Sequence, residues 1–97
     1  MNINSTRSRP LGSPGILTQC AGGTIVLLNL DGGQYYALDE IGGRAWELCD
    51  GRRSLAEISL VISEEYEAHP EVISGDLVAL FNDLAHENLL RNNPETA

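Results

Sequence analysis

The hydrophobic period of this chain changes once, at Leu38–Asp39, and that change limits the folds open to it. Upstream, residues 16–21, 24–30 and 34–38 are short runs of aliphatic, β-branched and aromatic side chains separated by Gly22-Gly23 and Asp31-Gly32-Gly33. Such runs between glycine turns read as strands, because a tight hairpin turn needs positive φ and glycine supplies it without a Cβ clash. Asp31-Gly32 matches the pair favoured in a primed two-residue turn. Residues 16–38 are therefore predicted to form an antiparallel meander. Val26, Leu28 and Leu30 share one face of its middle strand; in the third strand Tyr36 and Leu38 share a face, and Tyr35 and Ala37 take the other.

Beyond Leu38 the apolar residues recur at helical spacing. Asp39 is a good N-cap, and Ile41, Ala45, Trp46, Leu48 and Cys49 follow until Gly51, which predicts a helix over 39–50. Gly42 and Gly43 weaken that helix intrinsically and point to close backbone packing. Ser54-Leu55-Ala56-Glu57 is a capping box that opens a second helix over 54–67, with Leu55, Ile58, Val61, Ile62 and Tyr66 as its stripe. His69-Pro70 opens a third, whose stripe is Ile73, Leu77, Leu80, Phe81 and Leu84. It should end near Asn88, which can take the left-handed conformation while Leu89 or Leu90 folds back. The predicted class is α+β: a winged helix-turn-helix-like arrangement in which a three-stranded antiparallel β-meander precedes three α-helices.

At 97 residues the chain makes one domain, large enough to fold without disulfides or metal but with little room for a deep substrate cavity. No apolar run approaches the roughly 20 residues that span a bilayer, and residues 1–15 show neither a hydrophobic period nor a signal-peptide core. Those residues are read as a flexible arm, 91–97 as a polar tail, and the cytoplasm as the expected location. From residue 10 onward four arginines and no lysine stand against all 14 acids. Such a surface repels phosphate backbones and anionic membranes and suits a neutral or basic partner.

The inventory for catalysis is poor. His69 and His86 lack companions at metal-ligand spacing. Cys49 falls at a helix C-terminal end, where the dipole opposes thiolate formation, and both cysteines read as reduced, partly buried thiols. The glycine pairs lack the lysine and strand-to-helix setting of a phosphate loop. Trp46 sits on an apolar stripe and reads as core, while one of Tyr35 and Tyr36 must stay outside it. No enzyme, metal or cofactor is indicated.

The third helix and the sheet edge are more informative. A DNA-reading helix would carry Arg, Lys, Asn or Gln toward base edges, but residues 70–87 hold no Arg or Lys. Instead Asp76, Leu80, Asp83 and Glu87 make an acidic stripe beside the apolar face. In a meander the middle strand is paired on both sides, so the third strand keeps one free edge, which can accept an added peptide strand. The same edge leaves the free protein as a monomer or a weak edge-strand dimer.

The residues Val26-Leu27-Leu28-Asn29-Leu30-Asp31-Gly32-Gly33-Gln34-Tyr35-Tyr36-Ala37-Leu38-Asp39-Glu40-Ile41-Gly42, then Ala45-Trp46-Glu47-Leu48, carry a resemblance. So do Ser54-Leu55-Ala56-Glu57-Ile58, Glu64-Glu65-Tyr66, Pro70-Glu71, Asp76-Leu77, Leu84 and Leu89-Leu90. Over about 16–90 the chain resembles the PqqD family, the recognition elements of ribosomally synthesised, post-translationally modified peptides (RiPPs), most of all the free-standing lasso-peptide leader-binding proteins. His69 stands where the family often has an acidic N-cap, and Asn88 where it often has glycine.

The resemblance implies a non-catalytic adaptor that binds a precursor leader by strand addition and presents it to a leader peptidase or other maturation enzyme. It implies main-chain pairing along Gln34, Tyr35, Tyr36, Ala37 and Leu38, with Tyr35, Leu77, Leu80, Asp83 and Leu84 lining the groove beside Asp76. The alternatives are a precursor chaperone of the quinone-cofactor (PQQ) pathway in the same family and, from another class, a DNA-binding winged-helix regulator.

Overall fold

Two turns of different chemistry fold the meander. The structure, a computed structural model, describes residues 9–92. In it β2 (Ile16–Ala21), β3 (Thr24–Asn29) and β4 (Tyr35–Leu38) form one antiparallel sheet in the order β2-β3-β4. Ala21 pairs with Thr24 across Gly22 and Gly23, at φ 58° and 85°, so this turn takes the two successive positive φ values of a primed turn. The Asp31-Gly32 turn corrects the expectation. Its loop has four residues, Leu30 to Gly33; only Gly33 has positive φ, and Asn29 holds the loop by accepting from the amides of Asp31 (3.0 Å) and Gly32 (3.4 Å). An asparagine side chain that bonds the backbone two and three residues on replaces the tight turn.

The sheet phase is set by β3, whose Ile25, Leu27 and Asn29 are buried and face the helices, opposite Leu38 and Tyr36 of β4 in register. Val26 and Leu28 take the outer face, where Leu17, Leu28 and Tyr35 form one cross-strand row. Apart from half-buried Ile16, β2 is exposed, and Cys20 with it; of the two thiols only Cys49 is partly buried.

Helix α1 (Glu40–Glu47) starts as expected, Asp39 accepting from the Gly42 amide at 2.7 Å. A Cβ on Gly43 would fall 2.8 Å from Ile25 Cδ1, and one on Gly42 3.3 Å from Leu80 Cδ2, so the paired glycines let α1 approach the sheet and the last helix at once. The helix stops earlier than residue 50. Its end tightens into i→i+3 bonds (Leu48 to Ala45, Cys49 to Trp46), after which Asp50 bridges to Leu11 and the Gly51 amide donates to the Pro10 carbonyl.

Helix α2 (Leu55–Tyr66) has both bonds of the Ser54–Glu57 capping box. Arg44 grips Glu65 through two nitrogens, at 2.8 and 2.7 Å, and holds that carboxyl below the usual carboxylate range. Helix α3 (Pro70–His86) ends in a Schellman motif: Asn88 at φ 62°, its amide donating to Ala85 and the Leu89 amide to Leu84 at 2.8 Å. Leu89 and Leu90 then fold into the core formed by Leu55, Ile58, Ile62, Ile73, Leu77, Phe81 and Leu84.

The expected arm and tail are corrected where they enter the described residues. Pro10–Gly12 is a strand, β1, paired antiparallel with Leu90–Asn92, β5. Pro10 is fully buried, and a Cβ on Gly12 would lie 2.9 Å from Trp46 Cη2. Proline is tolerated in a short edge strand because it has no amide to satisfy there. Residues 1–8 of the arm and 93–97 of the tail lie outside the described residues.

Candidate functional site

Order β2-β3-β4 leaves β4 with one unpaired edge among the described residues. The Asn29 amide donates to the Gln34 carbonyl at 2.8 Å, which marks that pair as hydrogen-bonded. Antiparallel ladders alternate, so Leu27–Tyr36 and Ile25–Leu38 are the next bonded pairs, and Tyr35 and Ala37 turn their N–H and C=O groups to the free edge. Beside that edge opens a cleft of about 420 Å³. It is lined by Tyr36, Ala37, Leu38 and Asp39 from β4 and its end, Ile41 and Gly42 from α1, and Asp76, Leu77 and Leu80 from α3. Leu38 and Leu77 are buried and floor it, while Tyr36, Ile41 and Leu80 are half-buried walls. Asp76 is exposed at the rim and has no ion-pair partner among the described residues.

The structure thus brings Tyr36, Ala37, Leu38, Asp76, Leu77 and Leu80 together. It separates the other expected residues. Tyr35 is 72% exposed on the outer sheet face, because Leu38 is buried and strand alternation puts Tyr36, not Tyr35, on the same side as Leu38. Leu84 is fully buried in the core and does not line the cleft; Asp83 is exposed on α3 outside it. Gln34 precedes β4, its carbonyl held by Asn29. Asp39, Ile41 and Gly42 belong to the site although the sequence did not single them out for it. The signal was present in Gly42, whose missing side chain lets α1 approach Leu80, and in Asp39, which as N-cap must sit where β4 ends.

Among the described residues no group of three or more His, Cys, Asp or Glu could hold a metal ion. Burial, helped by the Asp50 charge, pushes the Cys49 thiol up to about 12, and its Sγ donates to the Ala45 carbonyl at 3.2 Å. A second, more apolar cleft of about 540 Å³ lies between α2 and α3, around Leu60, Pro70 and Gly75, but no strand edge borders it. Of these two clefts, the β4–α3 one joins free main-chain groups to an apolar floor.

Residues 24–90, which hold the sheet's last two strands and all three helices, match the family profile described as Coenzyme PQQ synthesis protein D (PqqD). The chain belongs to the PqqD family. Two curated relatives, each named PqqA binding protein, come from Bradyrhizobium diazoefficiens (37% identical over 54 residues) and Rhodopseudomonas palustris (38% over 60). The matches cover 56% and 62% of this chain and 52% and 59% of those proteins, so the chain spans little more than half their length.

Among solved structures, TbiB1 in complex with the TbiA(beta) leader peptide is 30% identical, with a TM-score of 0.75 over 84% of this chain and 94% of that one. The PqqD part of Methylobacterium extorquens PqqCD shares the fold at 24% identity and TM-score 0.73, over 84% of this chain and 87% of its own. A lasso peptide synthetase B1 does so at 20% and 0.76, over 87% and 99%. The PqqD fold of this chain is therefore the α+β arrangement expected from its sequence, with the β1–β5 pair added.

Proposed function

We propose that this PqqD-family chain is a non-catalytic adaptor that captures the leader of a ribosomally synthesised precursor peptide as an extra strand on β4. The observation that carries this reading is the free edge of Tyr35 and Ala37 opening onto a cleft floored by Leu38 and Leu77. Main-chain bonds on such an edge give affinity, and pockets for alternate side chains give register. TbiB1, at 30% identity, is a protein seen with a leader peptide bound, and the curated relatives are named for binding PqqA. We take the precursor to be that of a lasso peptide, the class whose free-standing leader-binding proteins this sequence resembles most, with that of a quinone cofactor as the alternative. DNA binding is disfavoured by α3, whose exposed charges are Glu71, Asp76 and Asp83.

The adaptor acts by proximity: a leader held on β4 raises the effective concentration of its core segment at a leader peptidase or other maturation enzyme. We place it in the cytoplasm, where Cys20 and Cys49 stay free thiols. The test is a fluorescence-polarisation titration against the labelled leader encoded beside the chain's own gene. Saturable binding that is abolished by proline within the leader's central residues is the expected result. No binding by the folded protein would overturn the reading.

A further inference from the structure

The cleft is apolar below and acidic at its rim, and nothing within the described residues neutralises that rim. Asp76 stands beside Leu77 and Leu80, and Asp83 follows it two turns along the same exposed stripe of α3. Arg44, the cation nearest in sequence to the cleft residues, is engaged with Glu47 and Glu65. An added strand presents alternate side chains to the cleft, so its positions facing α3 are two residues apart. One of them meets the floor of Leu38 and Leu77. The next reaches the rim, where a long basic side chain can lay its aliphatic stem on half-buried Leu80 and keep its charged end in water near Asp76.

We infer that the strand this cleft accepts carries an apolar side chain and, two residues from it, a lysine or arginine that pairs with Asp76. This rests on the strand-addition reading and adds a charge requirement to it. The apolar position supplies contact area; the basic one fixes register, because a slip of one residue would turn it to the outer sheet face, away from Asp76.

The probe is a random dodecapeptide phage library panned on the full chain, with enriched peptides resynthesised and titrated. Enriched peptides are expected to share a basic residue two positions from an apolar one. Asp76→Asn should weaken them about 2- to 5-fold at about 50 mM salt, and much less at about 500 mM, as expected for a screened ion pair. Replacing the peptide's basic residue by Met should cost the same, with no further loss in Asp76→Asn. Asp83→Asn, outside the cleft, should change affinity less than about twofold. Peptides that bind wild type, lose affinity in Ala37→Pro, and show neither a basic preference nor any response to Asp76→Asn would overturn the inference and leave strand addition standing. Peptides indifferent to Ala37→Pro, or no binders at all, would remove strand addition and the charge requirement with it.

Discussion

Asn29 is a polar side chain on the core face of β3, only 8% exposed, and its oxygen holds the amides of Asp31 and Gly32. Asn29→Ala should therefore cost about 1–3 kcal/mol, the net worth of two hydrogen bonds. Urea melts check this; a loss under about 0.5 kcal/mol would mean that the loop holds itself. Sequence alone pointed to Asp31-Gly32 as the turn because that dipeptide is a strong hairpin signal, while an asparagine inside an apolar run carries no comparable mark. Cys49 offers a second residue-level test. Its thiol is raised from an ordinary 9.0 to about 12, so the native state favours the neutral form. Stability from this group is complete below pH 9 and is lost as pH rises from about 9 through about 12, because only the unfolded thiol ionises easily there. The slope reaches about 1.4 kcal/mol per pH unit at most. Cys49→Ala should flatten the alkaline limb of stability against pH; an unchanged limb would assign it to other groups.

At the scale of elements, the alternation of the β3–β4 ladder separates two neighbouring proline variants. The Ala37 amide faces the free edge and the Tyr36 amide faces Leu27, so Ala37→Pro removes an outward donor while Tyr36→Pro breaks a ladder bond. Tyr36→Pro should lower stability by about 1–3 kcal/mol, the cost of stranding the buried Leu27 carbonyl. Ala37→Pro should leave the melting temperature within about 5 °C and reduce leader affinity at least about tenfold. Thermal melts and polarisation titrations on both variants would show it; intact binding by Ala37→Pro would rule out an added strand. The free edge and the helix beside it were both legible in the sequence, since a meander leaves its last strand open and Asp76, Asp83 and Glu87 fall on one stripe. Which tyrosine enters the cleft was harder to read, because alternation separates the two rings without saying which face is buried. Leu38 holds the clue: as the last strand residue before the Asp39 cap it is buried, and it carries Tyr36 with it. The helices could be read because eight or more residues show a period. The three-residue strands β1 and β5 show none, and each takes shape only through a partner from the opposite end of the chain.

Across the whole molecule, that terminal pair ties three parts together. β1 bonds to β5 behind the Schellman end of α3, the Pro10 carbonyl accepts from Gly51 after α1, and Gly12 lies against Trp46. β1 thus holds α1 through Trp46, one turn on from its Gly43 contact with β3, and α1 supplies Ile41 and Gly42 to the cleft. Deleting residues 1–12 removes buried Pro10, half-buried Leu11 and the cover of Trp46. The expected cost is about 2–4 kcal/mol, from apolar burial and the lost β1–β5 bonds. For a domain of this size that lowers the melting temperature by at least about 8 °C. Because the cleft's floor comes from β4 and α3, the truncated protein should still bind leader well below its new melting temperature, with affinity reduced less than about fivefold. Calorimetry and a cold titration on the same sample separate the two effects. An unchanged melting temperature would show that β1 adds nothing to the fold, and a complete loss of binding in a still-folded protein would show that α1 depends on the terminal strands to shape the cleft.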